Sequence, residues 1–311
     1  MVIDTRTAGD PMQDGVRWTN LTRSEIAVGL AAEGYPVSVT VVDRLLEEAH
    51  MGQRQPQKIN TMVHDPDRDE QFRHLAELKE EYLSNGLPVL SMDTKKREML
   101  GDYVRPGQVL SDARLRGWDH DFPTHSGGVV IPHGLYDVGL NEAYLHLGDS
   151  HETSKFAADA LIDYWQTYGR YRYPSAAELL LLCDGGGSNN SHRLIFKEEL
   201  ERVADRTDLI IRVAHYPPGC SKYNPIEHLL FPHVTRVLKG LFLHSLEMFR
   251  DLARQATTTA GLRVFARTLR GIYETGQRAT VKSVKQLHLL LDPVLSCWNY
   301  IILPKPLREV I

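Results

Sequence analysis

Four consecutive leucines, Leu179 to Leu182, run through Cys183 into Asp184 and then into three glycines, Gly185 to Gly187. A short apolar run without alternation is the pattern of a strand covered on both faces, which calls for helices above and below a sheet. A carboxylate where such a strand leaves the core stands at the sheet edge that α/β folds use for binding and chemistry. The glycines behind it let a backbone, a metal or a phosphate come close.

Further elements are predicted around this strand. Leu87 to Asp93 reads as a second buried strand, which tolerates Pro88 at its start and ends in an acid followed by Lys95, Lys96 and Arg97. Residues 97–129 carry turn formers throughout and read as an irregular excursion, a length of connection that usually serves a purpose. Pro132 to Gly148 reads as a β-hairpin turning at Gly139-Leu140-Asn141, with Asp137 as a turn former. A helix over Thr153–Tyr168 follows, with Phe156, Ala160, Leu161, Tyr164 and Trp165 on one side. After the leucine strand come a helix over Ser191–Val203, a strand over Leu209–Ala214, and a long helical region from Asn224. Strand, hairpin, helix, strand, helix, strand, helix describes an α/β mixed sheet flanked by helices, the element order of an RNase H-like domain.

In front of it, Thr22-Arg23-Ser24-Glu25 is a capping box, Gly34 a helix stop and Ser38 a second cap. Helix, glycine-bearing turn and second helix make a helix-turn-helix region over residues 1–55, in which Arg44 is the one basic residue of the second helix. A plain helical hairpin has the same pattern. The segment before it reads as short, as if N-terminal helices were missing. Residues 56–86 read as a linker and a helix closed by Asn85-Gly86, residues 87–260 as the RNase H-like domain, and residues 261–311 as a basic C-terminal region.

The 311-residue chain has a net charge of −4, which does not mark a protein that coats nucleic acid. The average hides the tail, where Arg263, Arg267, Arg270, Arg278, Lys282, Lys285, Lys305 and Arg308 face only Glu274, Asp292 and Glu309. Such a segment can contact phosphates or be a solvated face. No apolar run is long enough to span a bilayer, and the polar N-terminus is no secretory signal. Cys183, Cys220 and Cys297 have no paired spacing, which points to a reducing compartment, the cytoplasm, without disulfides or a zinc framework. Neither a P-loop nor a GxGxxG nor a GxSxG elbow is present.

Three acids stand at marked positions: Asp93 and Asp184 at strand ends and Glu227 on the helix beyond. Converging carboxylates are the hard oxygen ligands that Mg²⁺ or Mn²⁺ prefers, and two such ions can serve both oxygens of a phosphodiester displacement. Each acid also has a local reading. Asp93 can cap the turn after its strand, Asp184 can accept N–H bonds in a Gly-rich turn, and Asn224-Pro225-Ile226-Glu227 is a capping pattern.

The pieces His64-Asp-Pro-Asp-Arg-Asp-Glu-Gln-Phe72, Asp93-Thr-Lys-Lys96, His120-Asp-Phe-Pro123, Tyr136-Asp-Val138, Asp184-Gly-Gly-Gly-Ser-Asn189 and Pro217-Pro-Gly-Cys-Ser-Lys-Tyr-Asn-Pro-Ile-Glu-His228 resemble the bacterial insertion-sequence transposases of the ISAzo-thirteen type. The resemblance runs from about Trp18 to Arg263 and departs at Cys220, Tyr223 and Pro225, where Thr, Trp and Lys are expected. It implies an RNase H-like catalytic domain with a DDE triad on Asp93, Asp184 and Glu227. It also implies metal-dependent cutting at transposon ends and joining of the released 3′ end to target DNA.

With double-stranded DNA as partner, Lys95, Lys96, Lys222, Arg44, Asn189 and His228 are the candidate DNA contacts. Pairing of two ends implies a homo-oligomer. Two rival readings keep the scaffold: a decayed or domesticated protein that binds DNA without cutting, and a nuclease that hydrolyses without joining.

Overall fold

The structure is a computed structural model that describes residues 7–10, 13–19, 21–53, 65–118, 120, 122–184, 194–277 and 287–305. The chain divides into two compact units, Met1–Thr61 and Met62–Ile311.

In the first unit, β1 (Thr7–Asp10) and β2 (Gln13–Thr19) form an antiparallel pair with no counterpart in the sequence reading. Helices α1 (Arg23–Ala32) and α2 (Val39–Glu48) follow the caps read from the sequence. Thr22 and Glu25 close a reciprocal capping box, and Ser38 Oγ accepts the Val41 N–H. Gly34 takes a φ of +91° just past α1, a backbone that favours glycine. Ile26 and Val42 are buried between the helices, and Arg23 forms an ion pair with Asp43.

The second unit opens with α3 (Arg68–Ser84) and continues into β3 (Val89–Thr94). Two residues of β4 (Glu98–Met99) interrupt the excursion before β5 (Val129–Asp137), which turns into β6 (Glu142–Gly148). Asp137 Oδ1 accepts the N–H groups of Gly139 and Leu140 at 3.0 Å each, so it is a turn former. Helix α4 (Ser154–Tyr164) loosens into a π turn at Trp165–Gly169 and ends in the single turn α5 (Arg170–Arg172). Then come β7 (Glu178–Cys183), α6 (Leu194–Thr207) and β8 (Ile210–His215).

Taken as first to fifth in sequence, β3, β5, β6, β7 and β8 lie across the sheet in the order third, second, first, fourth, fifth. Only the second, β5, runs against the others. This is the RNase H-like mixed sheet flanked by helices that the element order predicts. The leucine run earns its composition here, because β7 is central and covered on both faces. Leu179 and Leu181 pack with α4 and α6, whereas Leu180 and Leu182 pack with Leu75, Leu78 and Tyr82 of α3.

Two expectations change. The helical region from Asn224 is not continuous but comprises α7 (Pro225–Leu229), α8 (Phe231–Val237) and α9 (Leu246–Ala253). Pro232 sits in the first turn of α8, and without an N–H it cannot carry α7 onward. The segment 261–311 is more than a basic tail, since it supplies β9 (Arg263–Thr268), β10 (Leu289–Leu291) and β11 (Asn299–Ile302). Strand β9 joins β6 in parallel, and β11 with β10 beyond it extends the sheet from β8, for nine strands among the described residues. Three of its cations pair with acids of the domain: Arg263 with buried Glu142, Arg267 with Asp163, and Lys305 with Glu201 and Asp205. Among the described residues, no helix is long and apolar enough to cross a membrane.

Candidate active site

Strands β3 and β7 are parallel neighbours, and their register sets Met92 opposite Cys183. Asp93 and Asp184 are therefore the next residues on adjacent strands, whose backbones lie ~4.8 Å apart in a sheet. Leu90 and Met92 point into the core shared with α4 and α6, so alternation sends Ser91 and Asp93 to the opposite face. Cys183 belongs to that same core, which sends Asp184 the same way as Asp93.

The third acid arrives on α7. Asn224 Oδ1 accepts a 2.5 Å hydrogen bond from Ser91 Oγ, and Asn224 Nδ2 donates to Met92 O at 3.2 Å. Ser91 Oγ also accepts the Ile226 N–H at 3.0 Å. These buried bonds fasten the start of α7 to β3 two residues before Asp93. Gly134, the β5 partner of Asp93, makes room: a Cβ there would stand 2.7 Å from Ile226 Cδ1 and 3.1 Å from Phe231 Cε1. The close approach puts Glu227 in side-chain hydrogen-bond contact with Asp93. The capping reading of Glu227 is weakened, because the Asn224 side chain makes no cap bond and is engaged with β3 instead.

Burial, the charge of Asp184 and the hydrogen bond that the protonated carboxyl donates to Glu227 push Asp93 up to about 8, against the Thr94 N–H that Asp93 Oδ1 accepts at 2.7 Å. The Asp93 carboxyl thus holds its proton at neutral pH and sits in hydrogen-bond contact with Glu227. His215 supports Asp184 from behind: its Nδ1 donates to Asp184 O at 3.0 Å, while its Nε2 accepts the Tyr300 hydroxyl at 3.0 Å. Burial and the two neighbouring aspartates raise the Cys183 thiol, which makes it an inert core group.

Among the described residues, no three His, Cys, Asp or Glu side chains are already arranged as a metal shell. The donor types nonetheless fit a divalent ion, since Asp93 interacts by charge with Asp184 and by hydrogen bond with Glu227, and all three offer hard carboxylate oxygens.

A family model described as the Rhodopirellula transposase DDE domain matches residues 1–304. The chain belongs to this transposase family. Among curated proteins, none matches it. Solved structures similar to it include the Mos1 transposase paired-end complex with left transposon end, at 15% identity, covering 78% of this chain and 72% of that one with a TM-score of 0.46. A pre-cleavage Mos1 transpososome follows at 13% identity, with the same coverages and a TM-score of 0.45. The Mos1 mariner paired end complex with Mn has 15% identity, coverages of 77% and 73%, and a TM-score of 0.44.

The candidate DNA contacts of this transposase fall into different settings. Lys95 is mostly buried and held by Glu98 at 2.5 Å, an acid that also binds Arg105 at 3.1 Å. Lys96 is exposed beside it. Lys222 and His228 flank Glu227 on the surface, with His228 Nε2 bonded to Lys222 O. Arg44 lies on α2 in the first unit, exposed and 3.7 Å from Glu48. Asn189 lies outside the described residues. Ser91, Asn224 and Gly134 were missed as site residues. Their signals were a serine inside a buried strand, an Asn in a capping pattern and a glycine inside a strand.

Proposed function

We propose that this transposase cuts the phosphodiester at the ends of a bacterial insertion sequence and joins the exposed 3′-hydroxyl to target DNA. The observation that carries the reading is the meeting of Asp93, Asp184 and Glu227: two adjacent strand ends and a helix pinned to one of them. In this reading those three carboxylates hold Mg²⁺ or Mn²⁺, two ions in all. Bound there, the ions supply activation of the attacking oxygen and stabilisation of the leaving oxygen.

The protein's own groups prepare the site. Asp93, whose carboxyl is raised to about 8, would have to release its proton for a cation to be held there. Asn224 and Ser91 hold Glu227 at its distance from Asp93, and His215 fixes the backbone carbonyl of Asp184. No covalent link to the protein is required. Lys96 and Lys222, with His228 beside Glu227, take phosphates of the double-stranded ends and target, and Arg44 does so from the first unit. Lys95 acts through Glu98 as a brace for the loop after β3. Two ends brought together require at least two copies of the chain, working where bacterial DNA lies, in the cytoplasm.

The test is Asp184→Asn in the full chain with DNA carrying the element's end and Mg²⁺. Cleavage is expected to disappear while DNA binding persists. Cleavage at the unaltered rate would remove the reading.

A further inference from the structure

Beside the carboxylates lies a cluster of rings and cations of which the reading above uses only Lys222. Tyr216 follows β8, and its N–H donates to Cys183 O at 2.8 Å, next to Asp184. Tyr223 ends the 3₁₀ turn Ser221–Tyr223, about one helical turn ahead of Glu227. Phe72 of α3 bridges the two, with ring centres 6.2 Å from Tyr216 and 5.1 Å from Tyr223, the latter edge-on at 76°. The three rings thus reach from the end of the strand carrying Asp184 to the start of the helix carrying Glu227. Lys222 Nζ lies 5.1 Å from the centre of the Tyr223 ring, and Arg68 Cζ lies 5.7 Å from that of Phe72.

Two features of this cluster are not core packing. Tyr223 is braced on its edge yet 46% exposed. Arg68 Nε is buried with no hydrogen-bond partner among the described residues, a donor left waiting for an acceptor. An exposed aromatic ring with one cation against it and a second against the ring that braces it is chemistry suited to an unpaired nucleotide: the ring takes the base and the cations take the phosphates. A paired base cannot use such a ring, because its faces are already covered by its neighbours in the duplex. Asp93 is half-buried, and an unpaired nucleotide beside a strand entering at that depth has a base free for such a ring.

We propose that Tyr223 is a stacking platform for an unpaired base of the DNA strand entering the carboxylate site, with Phe72 fixing its ring and Lys222 and Arg68 meeting the adjoining phosphates. The proposal rests on the DNA-processing reading for its ligand, but its test reads binding alone and needs neither cleavage nor metal.

The full chain is titrated in chelator against a labelled random-sequence duplex, and against the same duplex carrying a short oligothymidine overhang. The overhang is expected to tighten binding by about tenfold, in line with one stacked base. Tyr223→Ala should lose that gain while binding the plain duplex as before, and Tyr223→Phe should keep it. In a second measurement, 2-aminopurine in the overhang should be quenched by the unaltered chain and not by Tyr223→Ala. An overhang preference that survives Tyr223→Ala, or no preference and no quenching with the unaltered chain, would overturn the proposal. Loss of cleavage in Asp184→Asn would stand in either case, so the two ideas fail separately.

Discussion

Ser91 Oγ donates a 2.5 Å hydrogen bond to Asn224 Oδ1, joining a central strand to the helix that delivers Glu227. Neither side chain touches solvent. Removing either leaves the other buried without its partner, at a cost of about 1–3 kcal/mol. Ser91→Ala and Asn224→Ala should each lower the denaturant midpoint and slow end cleavage, and the double variant should lose less than the sum. Strictly additive losses would show that the two residues act apart.

Gly134→Ala tests the close approach of α7 to the sheet. The added methyl would crowd Ile226, Phe231 and Leu230, and overpacking of this kind costs about 1–3 kcal/mol. Cleavage is expected to fall further than stability alone explains, because the displaced helix carries Glu227. Circular dichroism melts beside cleavage rates make the comparison. Unchanged cleavage would mean that the helix position is not limiting.

In metal-free protein, the Asp93 carboxyl is pushed up from its ordinary 3.8 to about 8. The folded chain then holds a proton that the unfolded chain has released between those values. Its contribution to stability is greatest below about 4 and is lost as pH rises towards 8. Asp93→Asn should flatten this slope and be the more stable form at pH 8. Urea unfolding in chelator across that range reads it, and parallel curves for the two proteins would contradict it.

Mn²⁺ should reverse the same penalty. Titrated at pH 8, it is expected to raise the melting temperature of the unaltered chain and to release protons as it binds. Asp184→Asn should blunt both responses. An equal rise in the two proteins would place the ion elsewhere.

The tail's arginines are expected to matter for stability and not for DNA. Buried Glu142 is held by Arg172 at 3.0 Å and by Arg263. Removing an arginine from a buried acid costs about 3–5 kcal/mol where the pair is fully enclosed, and less here because Arg263 is largely exposed. Arg263→Ala should therefore lower the melting temperature yet leave the salt dependence of DNA binding unchanged. A shallower salt slope would return Arg263 to the DNA interface.

The sequence carried the central elements because their signals are local. Leu179–Leu182 read as a doubly covered strand from their composition and the glycines behind them, and Thr22 and Ser38 announced their helices through capping geometry. Asp93 and Asp184 were legible as strand-end acids, whereas their side-by-side placement depends on a register that only pairing reveals. Glu227 carries two readings in the sequence, third acid and capping residue, and what weighs against the second is the bond of Asn224 to Ser91, a contact between residues far apart in the chain. Strands β9 to β11 escaped notice because β9 carries two arginines, β10 and β11 are only three and four residues long, and the strands they join lie upstream. The charges that disguised Arg263 and Arg267 as a basic tail are paired with acids inside the fold.

Tyr300 on β11 orders the making of the molecule. It holds His215, which holds the carbonyl of Asp184. On a ribosome the leucine strand emerges well before this last support, with a delay on the order of ten seconds at usual rates of synthesis. Until then β8 is an open sheet edge, able to pair with a stray strand. A nascent chain has its carboxylates but not the brace behind Asp184. Completion of the site thus waits on the final strand, and a message cut short before Tyr300 would yield a protein that carries all three acids without the brace.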